Sequence, residues 1–302
     1  MKTLSFGFLL LLLSASIGCE SSSGGGEAGT GGTAGTGGTG GAGGMGGDGG
    51  MGGDGGMGGD GGMGGDGGTG GTGGMAGPPQ FLSEWGLFKS IPDQVPEDDV
   101  IPYDVTAPLF TDDAAKPRFV RLPEGEQIQY SDTERWLNPP GTIYVKTFAY
   151  PIDARNLELG YQLIETRLLV FHEDGTDTWT YVYPEGSNED AERINYGPVL
   201  DVSWINELGE TISLDYEVPS VPQCKDCHGI EPTRSLGPST GMLNRDHDYG
   251  GDVGVTNQID YMDSLGMFDS EPAPVGERTT YVTDPSVNES AGLHDRVRSY
   301  LD

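Results

Sequence analysis

The sequence of 302 residues predicts an α+β fold, with an antiparallel, sandwich-like β domain over residues 80–220 and a small, mainly α-helical domain over residues 221–302. Between residues 109 and 216, short runs of β-forming residues alternate with Gly, Pro, Asn and Asp, which is typical of antiparallel sandwiches or barrel-like sheets. After Pro219 these runs stop, and the last residues of the chain have helical spacing.

The β domain is predicted strand by strand from runs whose side chains alternate with a period of two. A turn at Glu173-Asp174-Gly175 separates two of these runs, and Glu207-Leu208-Gly209 separates the final pair. The predicted strands are Phe119–Leu122, Gly141–Phe148, Leu163–Phe171, Trp179–Tyr183, Val199–Trp204 and Thr211–Tyr216.

Two helices are predicted in the second domain. The segment from Asn257 to Gly266 is expected to be a short helix, with Asn257 as its N-cap and Gly266 as its stop. Residues 290–302 carry an apolar stripe with helical spacing, formed by Leu293, Val297, Tyr300 and Leu301.

The N-terminus predicts export. One basic residue, Lys2, precedes the apolar run Leu4–Leu13, and small residues follow it. This order is typical of a secretory signal peptide, which we assign to residues 1–18. The apolar run is too short for a permanent membrane span.

Cys19 is a candidate lipidation site. It directly follows Ser16-Ile17-Gly18, which resembles the lipobox of bacterial lipoproteins. The resemblance implies that Cys19 receives a diacylglyceryl group and becomes the mature N-terminus. Because Glu20 rather than Asp follows, it also implies an anchor in the outer membrane, at its periplasmic face or at the cell surface. An ordinary signal peptide with an unrelated Cys is the alternative.

Residues 19–79 are predicted to form a disordered, Gly-rich tether behind the lipidated Cys. A six-residue unit, Met-Gly-Gly-Asp-Gly-Gly, begins at Met45 and recurs at Met51, Met57 and Met63. Ordering so many glycines has a large entropic cost that this composition cannot offset by burial. Calcium-binding repeats have a nine-residue period, so a solvated tether is the favoured interpretation.

The charge balance restricts the partners. The formal net charge is −31, from 47 acidic and 16 basic residues. Nucleic acid and anionic lipid surfaces are therefore disfavoured, whereas solubility or a basic redox partner is compatible with the charge.

The segment Cys224-Lys225-Asp226-Cys227-His228 carries the predicted chemistry. It has the form C-x-x-C-H, the attachment motif of a c-type haem. Cys224 and Cys227 can form thioethers to the two vinyl groups of one porphyrin, and His228 is then placed as an axial ligand of the iron. We therefore predict one covalent haem c.

A redox dithiol and a structural zinc site are two other interpretations of the motif. A redox dithiol normally lies in a βαβ context, which the sequence does not show. A structural zinc needs four ligands, and only His247 lies near enough in sequence to add to the motif.

The sixth ligand of the iron is less defined by sequence. Met267 follows the predicted helix stop in a loop and is the leading candidate, with Met262, His247 and Met242 as alternatives. A thioether ligand would raise the reduction potential and favour an electron carrier. An open position would favour chemistry on small molecules.

Several stretches together resemble a family of secreted bacterial proteins, mostly uncharacterised, in which a β-rich region precedes cytochrome c-like motifs. The resemblance implies an exported c-type cytochrome and no particular substrate. The matching residues are Tyr103–Phe110, Pro139, Gly141-Thr142, Lys146–Phe148, Ile164–Leu168, Tyr216–Ser220, Leu243–Arg245 and Asn257-Gln258, besides the motif itself.

The chain departs from this family at one point. In the family, a helix like residues 294–301 usually runs on into a second C-x-x-C-H motif, whereas this sequence ends at Asp302. We expect either a one-haem variant or a truncated chain.

Two functions follow from the sequence. The first is an electron-transfer lipoprotein with an unknown redox partner. The second is a surface lipoprotein whose β domain binds a ligand, with a structural or unoccupied haem segment.

Glu165 and Arg167 share a strand face, where we expect a cross-strand salt bridge rather than catalysis. No Ser-His-Asp pattern or phosphate-binding loop indicates an enzyme.

Overall fold

A computed structural model describes residues 77–228, 237–281 and 291–301. The chain divides into two units, Met1–Gly74 and Met75–Asp302, and the described residues belong to the second. The predicted signal peptide, Cys19 and the predicted tether up to residue 76 lie outside the described residues, as do the side chains of Cys227 and His228.

The centre of the second unit is a six-stranded antiparallel sheet, which confirms the predicted antiparallel β-rich fold. Its strands follow one another in chain order, and each pairs with the next. The strands are β3 (Val100–Tyr103), β4 (Arg118–Arg121), β5 (Ile143–Pro151), β6 (Tyr161–His172), β7 (Gly175–Val182) and β8 (Glu192–Ile194).

Three two-stranded sheets and four α-helices accompany this sheet among the described residues. The smaller sheets pair β1 (Phe88–Ser90) with β2 (Val95–Pro96), β9 (Val199–Ile205) with β10 (Thr211–Glu217), and β11 (Asp246–Asp248) with β12 (Val255–Asn257). The helices are α1 (Val221–His228), α2 (Thr240–Leu243), α3 (Gln258–Ser264) and α4 (Leu293–Leu301).

One face of the six-stranded sheet is covered by the N-terminal segment. Leu82, Leu87 and Ile91 pack against sheet residues such as Val145 and Leu168. Alternation along the strands places these sheet residues on one side. The N-terminal segment thereby closes this side of the sheet.

The opposite face, which we call the open face, carries two separate apolar clusters. At one end, Ile259 and Phe268 pack against Leu169 and Phe171. At the other end, the β9–β10 hairpin packs Trp204 and its neighbours against Phe148 and Tyr150. The middle of the open face is polar and is described below.

The C-terminal segment shares a core with the sheet. Ile128 N donates to the carbonyl of Met267 at 2.8 Å, and Gln258 Oε1 accepts from Asp104 N at 2.7 Å. The predicted helix is present as α3, capped by the Asn257 side chain and ended by Gly266 at φ +73°. With seven residues, α3 is too short to form a core by itself, so it buries its apolar side against the sheet. The described residues do not show a cytochrome-like helical domain.

The shared core predicts a single unfolding transition. Ile259 in α3 is fully buried, so Ile259→Ala should lower the free energy of unfolding of the whole unit by about 2–5 kcal/mol. Urea unfolding followed by tryptophan fluorescence and far-UV circular dichroism measures this. Leu265→Ala, at the exposed end of the same helix, is the control and should change it by less than about 0.5 kcal/mol. Two transitions, of which only the smaller one responds, would contradict a common core.

Candidate functional site

The haem attachment motif lies on α1, directly after the β9–β10 hairpin. Gln223 Oε1 accepts hydrogen bonds from Ser220 N at 2.7 Å and from Ser220 Oγ at 2.8 Å, and Cys224 N donates to the Ser220 carbonyl at 3.2 Å. These bonds fix the start of the helix in the manner of a capping box. Residues 224, 227 and 228 are three and four positions apart, so the helical backbone brings them to one side.

Helix α1 runs beside β7, with Cα atoms of the two elements within 8 Å of each other. Cys224 is partly buried. On β6, which is the neighbour of β7, burial acts to lower the pKa of Arg167, but its hydrogen bonds to Glu165 and the proximity of Tyr216 and Cys224 raise that pKa overall. Cys224 is therefore within electrostatic reach of Arg167.

Arg167 belongs to a row of three cations on the open face. Arg118 on β4 lies directly opposite Lys146 on β5, and Lys146 lies directly opposite Arg167 on β6. Thr180 continues the row on β7, opposite Arg167. We call these four residues the cationic row. Like charges that face each other across strands destabilise a sheet, so the row is costly to the fold.

Glu165 neutralises one of the three cations. Its carboxylate is fully buried, and it accepts hydrogen bonds from Arg167 Nε at 2.9 Å, from Arg167 Nη2, and from the Tyr216 hydroxyl at 2.5 Å. The prediction that the salt bridge joins two strands is wrong. Glu165 and Arg167 are two positions apart on one strand and lie on the same face, so they pair along β6 instead.

Lys146 has no such partner. Within the described part of the chain, no group accepts a hydrogen bond from its Nζ or forms an ion pair with it, and Nζ lies 4.7 Å from the centre of the Phe148 ring. Burial, followed by the charges of Arg118 and Arg167, lowers the pKa of Lys146 to about 7. Near neutral pH, Lys146 therefore gains a proton readily if an anion approaches.

Two hydroxyl groups next to the row also have no partner in the described structure. Thr178 and Thr180 are 5% and 1% exposed, and neither Oγ1 atom makes a hydrogen bond. They are two positions apart on β7 and therefore point to the same face as Arg167, which is paired with Thr180. Buried hydroxyl groups normally find a partner, so these two are available to hydrogen-bond a further polar group on this face.

Two of the predicted iron ligands are core residues. Met267 and Met262 are 7% and 1% exposed, and both belong to the apolar cluster around Leu169 and Phe171. Both methionine side chains therefore contribute to the apolar packing of this cluster. The side chain of His228 lies outside the described set, so the prediction that Met267 is the sixth ligand stays a prediction.

Met242 and His247 lie in more open positions. Met242 packs at the margin of the same cluster, and its sulfur lies 2.8 Å from the position that a Cβ atom on Gly237 would occupy. Gly237 is the first described residue after the segment 229–236, which follows His228 directly. His247 is partly buried, which lowers its pKa, and its ring centre lies 4.8 Å from that of Tyr249.

The side chains that the structure describes contain no cluster of three or more His, Cys, Asp or Glu that could hold a metal ion. Among the described helices, none combines the length and apolar character needed to cross a membrane. Comparison of the chain with family models, with curated proteins and with solved structures finds no match. The resemblance to secreted cytochrome-like proteins therefore stays a prediction.

Sequence reasoning missed the cationic row. Each of its residues lies in or beside a predicted strand, but the row exists only because β4, β5, β6 and β7 are neighbours in the stated register. The one available signal was the presence of basic residues at the centre of β-forming runs in an acidic chain.

The buried carboxylate predicts a large stability effect. Glu165→Gln leaves Arg167 without its counter-charge, and the free energy of unfolding should fall by about 3–5 kcal/mol in thermal or urea unfolding. The matched control is Asp98→Asn, which removes the exposed pair of Asp98 with Lys89 and should leave stability nearly unchanged. An equal response of the two variants would show that the buried pair does not stabilise the fold.

Proposed function

We propose that this protein is an exported, lipid-anchored c-type cytochrome-like protein that binds one haem covalently and transfers electrons. The observation that carries the proposal is that the C-x-x-C-H motif lies on a capped helix, which brings residues 224, 227 and 228 to one side. Cys224 and Cys227 would hold the porphyrin, and His228 would bind the iron. When bound, the haem supplies one-electron transfer between its ferric and ferrous forms.

The surroundings of α1 fit such a group. Arg167 and Phe148 form a partly buried surface on the open face, with the guanidinium carbon 4.3 Å from the ring centre. Unpartnered donors at Thr178, Thr180 and Lys146 lie on the same face, and a porphyrin has two carboxylates that such donors can bind. The chain would thus hold the group between a helix and a sheet and limit its contact with water.

Met267 remains our proposed sixth ligand, with Met262, His247 and Met242 as alternatives. Among the alternatives, Met242 is partly buried, and its sulfur lies beside Gly237, close in the chain to the motif, so it is compared with Met267 below. A six-coordinate iron with a thioether ligand suits an electron carrier, since its ligands need not rearrange on reduction.

The β region would have a different role in each of two candidate functions. As a sandwich-like domain, with the β9–β10 hairpin as part of a second layer, it would dock a redox partner. The second candidate function is a surface lipoprotein whose β domain binds a ligand, with the haem segment structural or unoccupied. The cationic row favours this candidate, because it offers an anion site on the sheet itself.

Covalent haem is the first test. After expression with haem-maturation machinery, the protein should keep haem-dependent staining on a denaturing gel, and its mass should exceed that of the polypeptide by one haem. Cys224→Ser with Cys227→Ser should abolish both signals. Extraction of the haem by acid acetone would contradict thioether attachment, and a protein without haem would favour the second candidate function.

The same preparations report on the sixth ligand. The oxidised wild type should show low-spin haem with the weak near-infrared band of thioether ligation. This band should disappear in Met267→Ala and survive in Met262→Ala, with Met242→Ala compared beside them. A high-spin wild type that takes up carbon monoxide would contradict the electron-carrier proposal.

Lipid anchoring at Cys19 is tested by fractionation. The mature protein should partition into the detergent phase, because two or more acyl chains give stable membrane binding, and Cys19→Ala should move it to the aqueous phase. Recovery of the wild type in the aqueous phase would refute the anchor and leave the haem proposal unaffected.

A further inference from the structure

We propose that the cationic row, formed by Arg118, Lys146, Arg167 and Thr180, is a binding site for the carboxylate groups of an anionic ligand. The site is argued from the sheet alone. That its carboxylates are the propionates of a haem bound at Cys224 is a further step, which rests on the proposed function.

Among the described residues, the three cations of the row outnumber the acidic groups that pair with them. The carboxylate of Glu165 is engaged by Arg167 and Tyr216. The nearest acidic group to Arg118 is Asp104 at 3.5 Å, and Asp104 also forms an ion pair with Arg245 at 3.2 Å. Lys146 is left without a counter-charge among the described residues. An anion in the middle of the row would convert a repulsive arrangement into an attractive one.

The composition of the chain makes this arrangement unusual. Only 16 of the 302 residues are Lys or Arg, and 47 are acidic. Three of those 16 are in one row across adjacent strands and on one face. Acidic residues are far more common than basic ones in this chain, yet no carboxylate of the described residues pairs with Lys146, which points to a ligand.

The donors of the row suit a carboxylate. Arg118 uses Nη1 for the carbonyl of Lys116 at 2.7 Å, which leaves other guanidinium N–H groups for a ligand. Lys146 can donate three hydrogen bonds, and the hydroxyl groups of Thr178 and Thr180 are buried without a partner. Short, charge-assisted hydrogen bonds from such a set are stronger than those between neutral groups.

The position of the row makes the propionates of a haem at the motif one source of the carboxylates. Thr180 lies on β7, the strand beside which α1 runs, and it is paired with Arg167 on β6. A group attached to the motif would therefore have its carboxylates close to the row. A free dicarboxylate would offer the same chemistry, and the experiment below separates the two sources.

The titration of Lys146 gives the site a pH dependence. Burial, followed by the charges of Arg118, Arg167 and Lys116, lowers the pKa of Lys146 to about 7, against the opposing effect of Glu165. A bound carboxylate favours the charged amine. Binding should therefore take up a proton and weaken as pH rises above 7, as long as the other cations keep their charge.

The test uses the full protein with Cys224→Ser and Cys227→Ser, titrated with iron protoporphyrin IX or with its dimethyl ester and followed by the absorbance of the porphyrin. The free acid should bind about tenfold more tightly than the ester, and Lys146→Gln or Arg118→Gln should remove this difference. Lys146→Arg should keep the affinity and lose the pH dependence. Lys89→Gln, a change in an exposed pair on another sheet, is the control.

A second arm distinguishes the source. Succinate is added to the same haem-free protein, and its effect on the thermal midpoint is measured with and without Lys146→Gln. Discrimination between acid and ester without a succinate effect supports the haem propionates. A rise with succinate that requires Lys146 supports a free carboxylate ligand. If neither porphyrin nor succinate distinguishes the row variants from the parent, the site is refuted.

The two proposals fail separately. If the wild type carries covalent haem but the row variants bind the acid and the ester as the parent does, the carboxylate site is wrong and the cytochrome proposal stands. If no covalent haem forms but succinate binds through Lys146, the cytochrome proposal is wrong and the carboxylate site stands.

Discussion

The buried carboxylate of Glu165 connects the parts of the structure that matter for function. It accepts hydrogen bonds from Arg167 on its own strand and from Tyr216 near the end of β10, so it joins the central sheet to the hairpin that precedes the motif. Only a few residues separate Tyr216 from Cys224, and they include the Ser220 cap. The position of α1 beside β7 therefore depends on the contact that Glu165 makes with the hairpin. Because Glu165 is shielded from water, this contact is strong only while all three groups are present.

On the open face, the residues that stabilise the fold and those proposed to bind a ligand lie at different positions along the same strands. Its two ends are apolar and are covered by the C-terminal segment and by the β9–β10 hairpin. Between them, β5 and β6 carry Lys146 and Arg167. Lys146 lies two positions from Tyr144 in one apolar cluster and from Phe148 in the other, and Arg167 lies two positions from Leu169. The ends supply the burial that holds the layers together, and this allows the middle to keep unbalanced charge. A site placed between two packed regions is also held rigidly, which suits the binding of a fixed group.

Local patterns in the sequence predicted much of the sheet. The runs Gly141–Phe148 and Leu163–Phe171 became β5 and β6, and Asn257 caps α3 as expected. These features depend on alternation and on capping, which act over a few residues. The cationic row and the shared core depend on which strands become neighbours, and this is decided by contacts between distant parts of the chain. For the same reason the predicted boundary at residue 220 separates segments that pack together. The motif was identified by sequence, but the charges that surround it were not.

The contact of the C-terminal segment with the sheet also implies an order of folding, in which the strands pair before this segment packs on them. Gln127 donates a hydrogen bond to the carbonyl of Phe268, a residue 141 positions further along the chain. Closing so long a loop is slow compared with pairing consecutive strands, so the meander from β3 to β8 can form while one end of its open face is still uncovered. During synthesis residue 268 emerges after all of these strands. Tyr144, Leu169 and Phe171 therefore face solvent until the C-terminal segment packs over them, so this end of the sheet stays accessible longest while the protein folds.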